Sequence, residues 1–177
     1  MANAPVQIFV YGTLKRGYRN FARCCRTVQA VQPAKVRGQL FQLPVGYPIL
    51  KIPRTSVLAF GTLDYRADAE LQQSWNIENF SSTAIPETTE WMEVEGEILT
   101  FPDASFILPL LDSLEEYFPE DLNASEYYRV LVQTLPPQEG AVWIYIAPSG
   151  SQLPSNWQLG PRWPADPSFP NRFKLDE

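Results

Sequence analysis

Apolar residues alternate with polar ones, or cluster as β-branched and aromatic runs, in several short segments typical of strands. The first segment, residues 6–10, is VQIFV and leads into Tyr11-Gly12-Thr13-Leu14, a glycine-containing loop. Residues 127–135 and 141–147 flank a proline-containing turn and predict a hairpin. The predicted strands span residues 6–10, 34–43, 47–50, 57–65, 91–101, 127–135 and 141–147.

Three other segments have helical character. Residues 15–25 are polar and basic and predict a loop with a short helix, and residues 67–77 are rich in helix formers. Residues 106–118 predict an amphipathic helix whose apolar face, at 100° per residue, holds Leu110, Leu111, Leu114 and Phe118. Short strands with few helices indicate an α+β fold, a small antiparallel or mixed β-barrel with flanking helices.

A chain of 177 residues fits one domain, which we expect to span residues 1–147. Residues 148–177 contain six prolines and two tryptophans. Prolines at this density exclude a regular helix or a central strand, so we expect an extension packed on the domain.

The formal net charge of −6 argues against nucleic acid and against an anionic membrane surface as partners. No residues of the N-terminal segment resemble a signal peptide, and no apolar span reaches the length of a transmembrane helix. We therefore expect a cytoplasmic protein that binds neither membrane nor nucleic acid.

The chain contains no histidine. Its absence excludes Ser-His-Asp and Cys-His catalysis and histidine metal sites. The two cysteines, Cys24 and Cys25, are adjacent and predict no disulfide framework. We expect no metal and no cofactor, so that any catalysis depends on carboxylates, tyrosines, lysines, hydroxyls or backbone dipoles.

Five motifs occur in an order that resembles the γ-glutamyl cyclotransferase-like proteins, which include the γ-glutamylamine cyclotransferases and the plant AIG2-like proteins. They are YGTLKRG at 11–17, VRGQLFQL at 36–43, VEGEIL at 94–99, LDSLEEY at 111–117 and YYRV at 127–130. Relative to the compact core of that family, residues 53–90 form an atypical insertion and residues 148–177 an addition.

The resemblance implies a small β-barrel enzyme that cyclises a small-molecule γ-glutamyl substrate and releases 5-oxoproline. It implies that Glu115, in the LDxxE pattern, is the general acid/base. It places the substrate α-carboxylate on the amides of Gly12, Thr13 and Leu14, with Tyr11 at the pocket wall. The family pattern of tyrosine, any residue and arginine selects Tyr127 as a further substrate-binding residue, although a plain role in the wall is an equal alternative.

The chemistry of such a reaction suits this composition. The α-amine of a γ-glutamyl amide attacks its own γ-carbonyl, so no protein nucleophile is needed. One carboxyl can take the proton of the α-ammonium and later protonate the leaving amine, provided that an apolar pocket raises its pKa to roughly 6–7. Helical phase places Glu115 at the edge of the apolar face and Glu116 in solvent.

Other interpretations stay open from the sequence. The same fold could bind a small acid or a protein partner without catalysis, or could break a different amide by the same carboxylate chemistry. Many family members have glycine where this chain has Glu116, and the FGTL at 60–63 repeats the loop motif by coincidence. The leaving amine and the oligomeric state are not determined by the sequence.

Overall fold

A computed structural model describes residues 4–78 and 90–164 of the chain. In these two ranges seven strands and three α-helices follow one another. They are β1 Val6–Val10, α1 Arg19–Cys24, β2 Ala30–Gln42, β3 Pro48–Lys51, β4 Ala59–Phe60, α2 Tyr65–Glu78, β5 Met92–Phe101, α3 Ala104–Leu114, β6 Tyr128–Gln133 and β7 Ala141–Ile146. The α+β class predicted from the sequence is confirmed.

The strands form one mixed sheet in the order β3-β2-β5-β1-β7-β6-β4. Every pairing is antiparallel except β1 with β7. The sheet is curled, since the amide of Ala147 after β7 donates to the carbonyl of Leu50 in β3 at 2.8 Å. It is nevertheless open, with β3 and β4 at its edges, so the predicted term β-barrel applies only loosely. The edge strand β4 pairs with β6 through only two residues, Ala59 and Phe60.

Both faces of the curled sheet are covered by apolar side chains. One buried cluster lies between the sheet and α3, where Ile107, Leu108 and Leu111 pack near Trp143 of β7. The second lies on the opposite face, and its members include Phe9, Val36, Leu40, Val94 and Ile144. Burial on both faces of the central strands explains why residues 141–146 form a continuous apolar run.

The strand predicted at 57–65 is largely wrong. Within this segment only Ala59 and Phe60 belong to a strand, and α2 begins at Tyr65. The amide of Ala67 donates to the side chain of Asp64 at 3.0 Å, a bond that caps the first turn of the helix. A local capping signal therefore overrides the apolar pattern of this segment.

The helix predicted at 106–118 is shorter and faces a different way. It spans Ala104–Leu114, starts where the side chain of Asp103 accepts from the Ser105 amide, and ends before Glu116 at φ 52°. Leu110 and Phe118, expected in the core, are 41% and 47% exposed. The buried face instead consists of Ala104, Ile107, Leu108, Leu111 and Asp112.

The described part of the proline-rich segment, residues 148–164, lies against the sheet. Leu159 donates to the Leu40 carbonyl, and the Glu95 amide donates to the Pro161 carbonyl, both at 2.7 Å. Trp163 is 2% exposed. The division at residue 147 and the insertion at 53–90 stay predictions, and residues 79–89 and 165–177 lie outside the described ranges. In the described ranges, no helix combines the length and the apolar character needed to cross a bilayer.

A buried arginine joins the sheet to two helices. Arg129 of β6 is fully buried and donates to Asp112 of α3 at 2.8 and 3.2 Å and to Asp68 of α2 at 2.7 Å. It also donates to the Thr62 carbonyl at 2.8 Å. The guanidinium carbon lies 5.1 Å from the ring centre of Trp143. Paired carboxylates and hydrogen bonds offset the cost of burying this charge.

We predict that Arg129→Met lowers the free energy of unfolding by about 3–5 kcal/mol, because it leaves two carboxylates buried without their cation. Arg66 forms a 3.0 Å pair with Glu70 on the exposed side of α2 and provides the matched control. Arg66→Met should cost only about 0.3–0.5 kcal/mol. Urea denaturation of both variants measures the difference, and equal effects would contradict a structural role for the buried pair.

Candidate active site

A cavity of about 450 Å³ opens where β1 ends. Its wall is formed by the loop after β1, by α1, by the turn between β2 and β3, and by two stretches of chain around Glu115 and Tyr127. Every site residue proposed from the sequence lines this cavity: Tyr11, Gly12, Thr13, Leu14, Glu115 and Tyr127. Residues more than 100 positions apart in the chain are thus brought to one concave surface.

The loop after β1 is fixed by short-range hydrogen bonds. The Lys15 amide donates to the Gly12 carbonyl at 3.0 Å, which closes a turn. Thr13 accepts from the Phe21 amide through its carbonyl and from the Asn20 side chain through its hydroxyl. Gly12 itself lies against Pro48, since a Cβ there would be 2.5 Å from the proline Cγ. Glycine at this position lets the loop pack closely on β3.

The carbonyls of Gly12 and Thr13 are therefore in use. In the part of the chain that the structure describes, the amides of Gly12, Thr13 and Leu14 donate to no protein acceptor. Successive free amides in a turn form a concave site that favours an anion. This geometry makes the loop suitable for a carboxylate ligand.

Glu115 is the residue at which α3 ends. Its amide still bonds the Leu111 carbonyl at 2.9 Å, but its backbone has left the helix at φ −90° and ψ 2°. The side chain is half-buried, and burial raises the pKa of the Glu115 carboxyl to about 7. Glu116 is exposed, as expected. The helical-phase argument placed Glu115 at the edge of an apolar helix face, whereas in the structure its position follows from the helix end.

Two tyrosines of the wall have their hydroxyl protons engaged. Tyr127 donates to the Pro48 carbonyl at 3.2 Å, and Tyr11 donates to the Tyr145 carbonyl at 2.7 Å. The pKa of each phenol is raised, first by burial and then by neighbouring groups that include Glu115. Both tyrosines are therefore neutral hydrogen-bond donors to backbone rather than bases.

Several cavity residues were not found from the sequence. Tyr145 lies in the wall and donates its hydroxyl to Asp112 at 2.7 Å, which connects the cavity to the buried arginine. Arg19 and Arg23 of α1 also face the cavity. Their spacing of four residues on a basic helix is the one signal that could have identified them.

The FGTL segment at 60–63, interpreted as coincidence, does not line the cavity. Instead, the segment packs against the buried Arg129 and forms hydrogen bonds with it and with Asp68. Gly61 leaves room for the guanidinium, because a Cβ there would be 2.5 Å from the Arg129 Cζ, and its carbonyl accepts from Tyr117 at 2.8 Å. The Thr62 amide and hydroxyl both donate to Asp68.

The residues present offer no obvious metal ligands. No cluster of three or more Cys, Asp or Glu side chains arranged for a metal ion occurs in residues 4–78 and 90–164. Cys24 and Cys25 are buried free thiols whose pKa values are raised by burial, that of Cys25 to about 12.

We predict that Gly12→Ala lowers the free energy of unfolding by about 1–3 kcal/mol, because the new methyl group overlaps Pro48 and must displace the loop. A Cβ added at Gly160 would meet no neighbouring atom within 4 Å, so Gly160→Ala is the matched control and should leave the stability unchanged or slightly higher. Thermal and urea unfolding compare the two variants. A neutral Gly12→Ala would show that close packing of the loop on β3 is not required.

A family model matches the part of the chain that holds the first two motifs, at 11–17 and 36–43. The model of the family described as "Gamma-glutamyl cyclotransferase, AIG2-like" matches residues 8–78. A crystal structure of an AIG2-like protein from Mus musculus is 19% identical, with 88% of this chain and 83% of that chain covered at a TM-score of 0.45. None of the curated proteins compared with the chain matches it. The family match confirms, over residues 8–78, the resemblance of this chain to the γ-glutamyl cyclotransferase, AIG2-like family.

Proposed function

We propose that the cavity cyclises a γ-glutamyl amide. The α-amine of the substrate attacks its γ-carbonyl carbon, a C–N bond forms to close a five-membered ring, and the original amide C–N bond breaks. The products are 5-oxoproline and the free amine, with no water and no protein nucleophile consumed. Holding the glutamyl chain folded converts the attack into a favourable ring closure.

Glu115 is the acid/base in this proposal. As a carboxylate it accepts a proton from the α-ammonium, and as the acid it returns a proton to the departing amine nitrogen. A group that performs both steps is most effective when its pKa is near the working pH. The observation that carries the proposal is a Glu115 carboxyl with a pKa of about 7 in the same cavity as the unpaired loop amides.

The loop and the tyrosines hold the substrate. The amides of Gly12, Thr13 and Leu14 bind the α-carboxylate, because free backbone N–H groups in a turn favour an anion. Tyr11 and Tyr127 form the wall against the glutamyl chain, since their hydroxyls are already bonded to backbone carbonyls. The cavity of about 450 Å³ is in the size range of small-ligand sites.

We predict that wild-type protein releases 5-oxoproline from members of a panel of γ-glutamyl amines and peptides. Glu115→Gln should lower kcat by roughly 10²–10⁴-fold, the usual contribution of a general acid/base. Glu120→Gln, an exposed glutamate outside the cavity wall, is the matched control and should keep the wild-type rate. If the Glu115→Gln variant keeps the wild-type turnover, Glu115 is not the general acid/base. No turnover of any compound by wild type would favour a binding function of the same cavity.

The activity should also rise with pH until the Glu115 carboxyl is ionised. The carboxylate form of Glu115 starts the reaction, and its pKa is raised to about 7, so protonation below that pH removes the base. We therefore expect kcat/KM to rise with pH, up to about tenfold per unit, and to level above about 7. Rate profiles of wild type and Glu120→Gln should coincide. A flat or falling profile across this range would contradict the assignment.

A further inference from the structure

Two arginines on one helix line the cavity. Arg19 and Arg23 are four residues apart on α1, a spacing that puts both side chains on one face. Both are exposed and both belong to the cavity wall. Within residues 4–78 and 90–164, neither side chain forms an ion pair or a hydrogen bond. Like charges at this spacing repel each other, so a bound anion would reduce the repulsion between the two guanidinium groups.

Positive charge is concentrated beside the cavity. Residues 15–26 contain four arginines and one lysine and no acidic residue, although the chain as a whole has a net charge of −6. A concave site next to such a segment attracts anions more strongly than the net charge would suggest.

Acidic residues line the cavity as well. Glu116 and Glu126 line the wall beside Glu115, and the Glu126 amide bonds the Glu116 carbonyl at 3.0 Å. The basic helix is instead joined to the loop after β1, through the bond from the Phe21 amide to the Thr13 carbonyl. The cavity therefore carries both acidic groups, suited to an ammonium group, and basic groups, suited to a second anion.

We infer that Arg19 and Arg23 recognise a carboxylate on the leaving amine, so that the preferred substrates are γ-glutamyl amino acids or short peptides rather than uncharged γ-glutamyl alkylamides. This inference rests on the proposed function. There the loop amides bind the α-carboxylate, and a γ-glutamyl substrate can carry a further anion only on its leaving group. Guanidinium groups form strong, directed hydrogen bonds with carboxylates.

The test compares γ-glutamylglycine with γ-glutamylmethylamide, two compounds that differ only by the carboxylate of the leaving group. Calorimetric titration into Glu115→Gln measures affinity without dependence on turnover, and 5-oxoproline release by wild type measures kcat/KM. We expect both values to favour γ-glutamylglycine by roughly 10- to 100-fold, as for one or two hydrogen bonds to a charged group. The preference should decline as salt is added, because both arginines are exposed.

Arg19→Gln/Arg23→Gln, made in the wild-type and Glu115→Gln backgrounds, should abolish the preference and leave the methylamide unchanged. Arg26→Gln, an exposed arginine outside the cavity wall, is the matched control and should retain the preference. Equal binding of the two compounds, or a preference that survives the double substitution, overturns the inference. Neither result affects the proposed function if 5-oxoproline is released. Conversely, a carboxylate preference that the double substitution abolishes, with no 5-oxoproline from any compound of the panel, supports carboxylate recognition by the two arginines and overturns the proposed function.

Discussion

The buried charge of Arg129 is the constraint around which the elements are arranged. It binds Asp112 of α3 and Asp68 of α2 from a strand in the middle of the apolar core. An arginine in this environment is stable only while its donors are satisfied, so both helices must remain in place against the sheet. The bond from Tyr145 to Asp112 extends the same network to the cavity wall. The position of the candidate site thus depends on a charge that lies outside it.

That network also explains why Glu115 is where it is. Asp112 fixes the last turn of α3, and the chain leaves the helix three residues later with Glu116 in the left-handed region. If the helix had continued to residue 118, as the apolar pattern suggested, Glu115 would have been one more residue on the helix surface. The early end directs Glu115 toward the loop after β1 and buries enough of its carboxyl to raise the pKa.

The sequence predicted the local features well and the long-range ones poorly. β1 and the loop after it follow from a β-branched run and a glycine, and Glu115 was identified from an ordered set of motifs. The partners of Arg129 could not be predicted, because they are 17 and 61 residues away and depend on how the helices pack. The structural role of the FGTL segment could not be predicted for the same reason, since Gly61 is needed by the arginine side chain rather than by a ligand.

The electrostatics of the cavity separate two requirements that would otherwise conflict. A base of pKa near 7 needs a poorly solvated carboxyl, whereas anion recognition needs positive charge, and a cation close to Glu115 would lower its pKa again. Here burial alone raises the Glu115 pKa, and no arginine opposes it. Arg19 and Arg23 are exposed, and solvent weakens their field at the carboxyl. One cavity can therefore hold both the positive charge that attracts an anion and a proton-accepting carboxyl, which a protein without histidine needs.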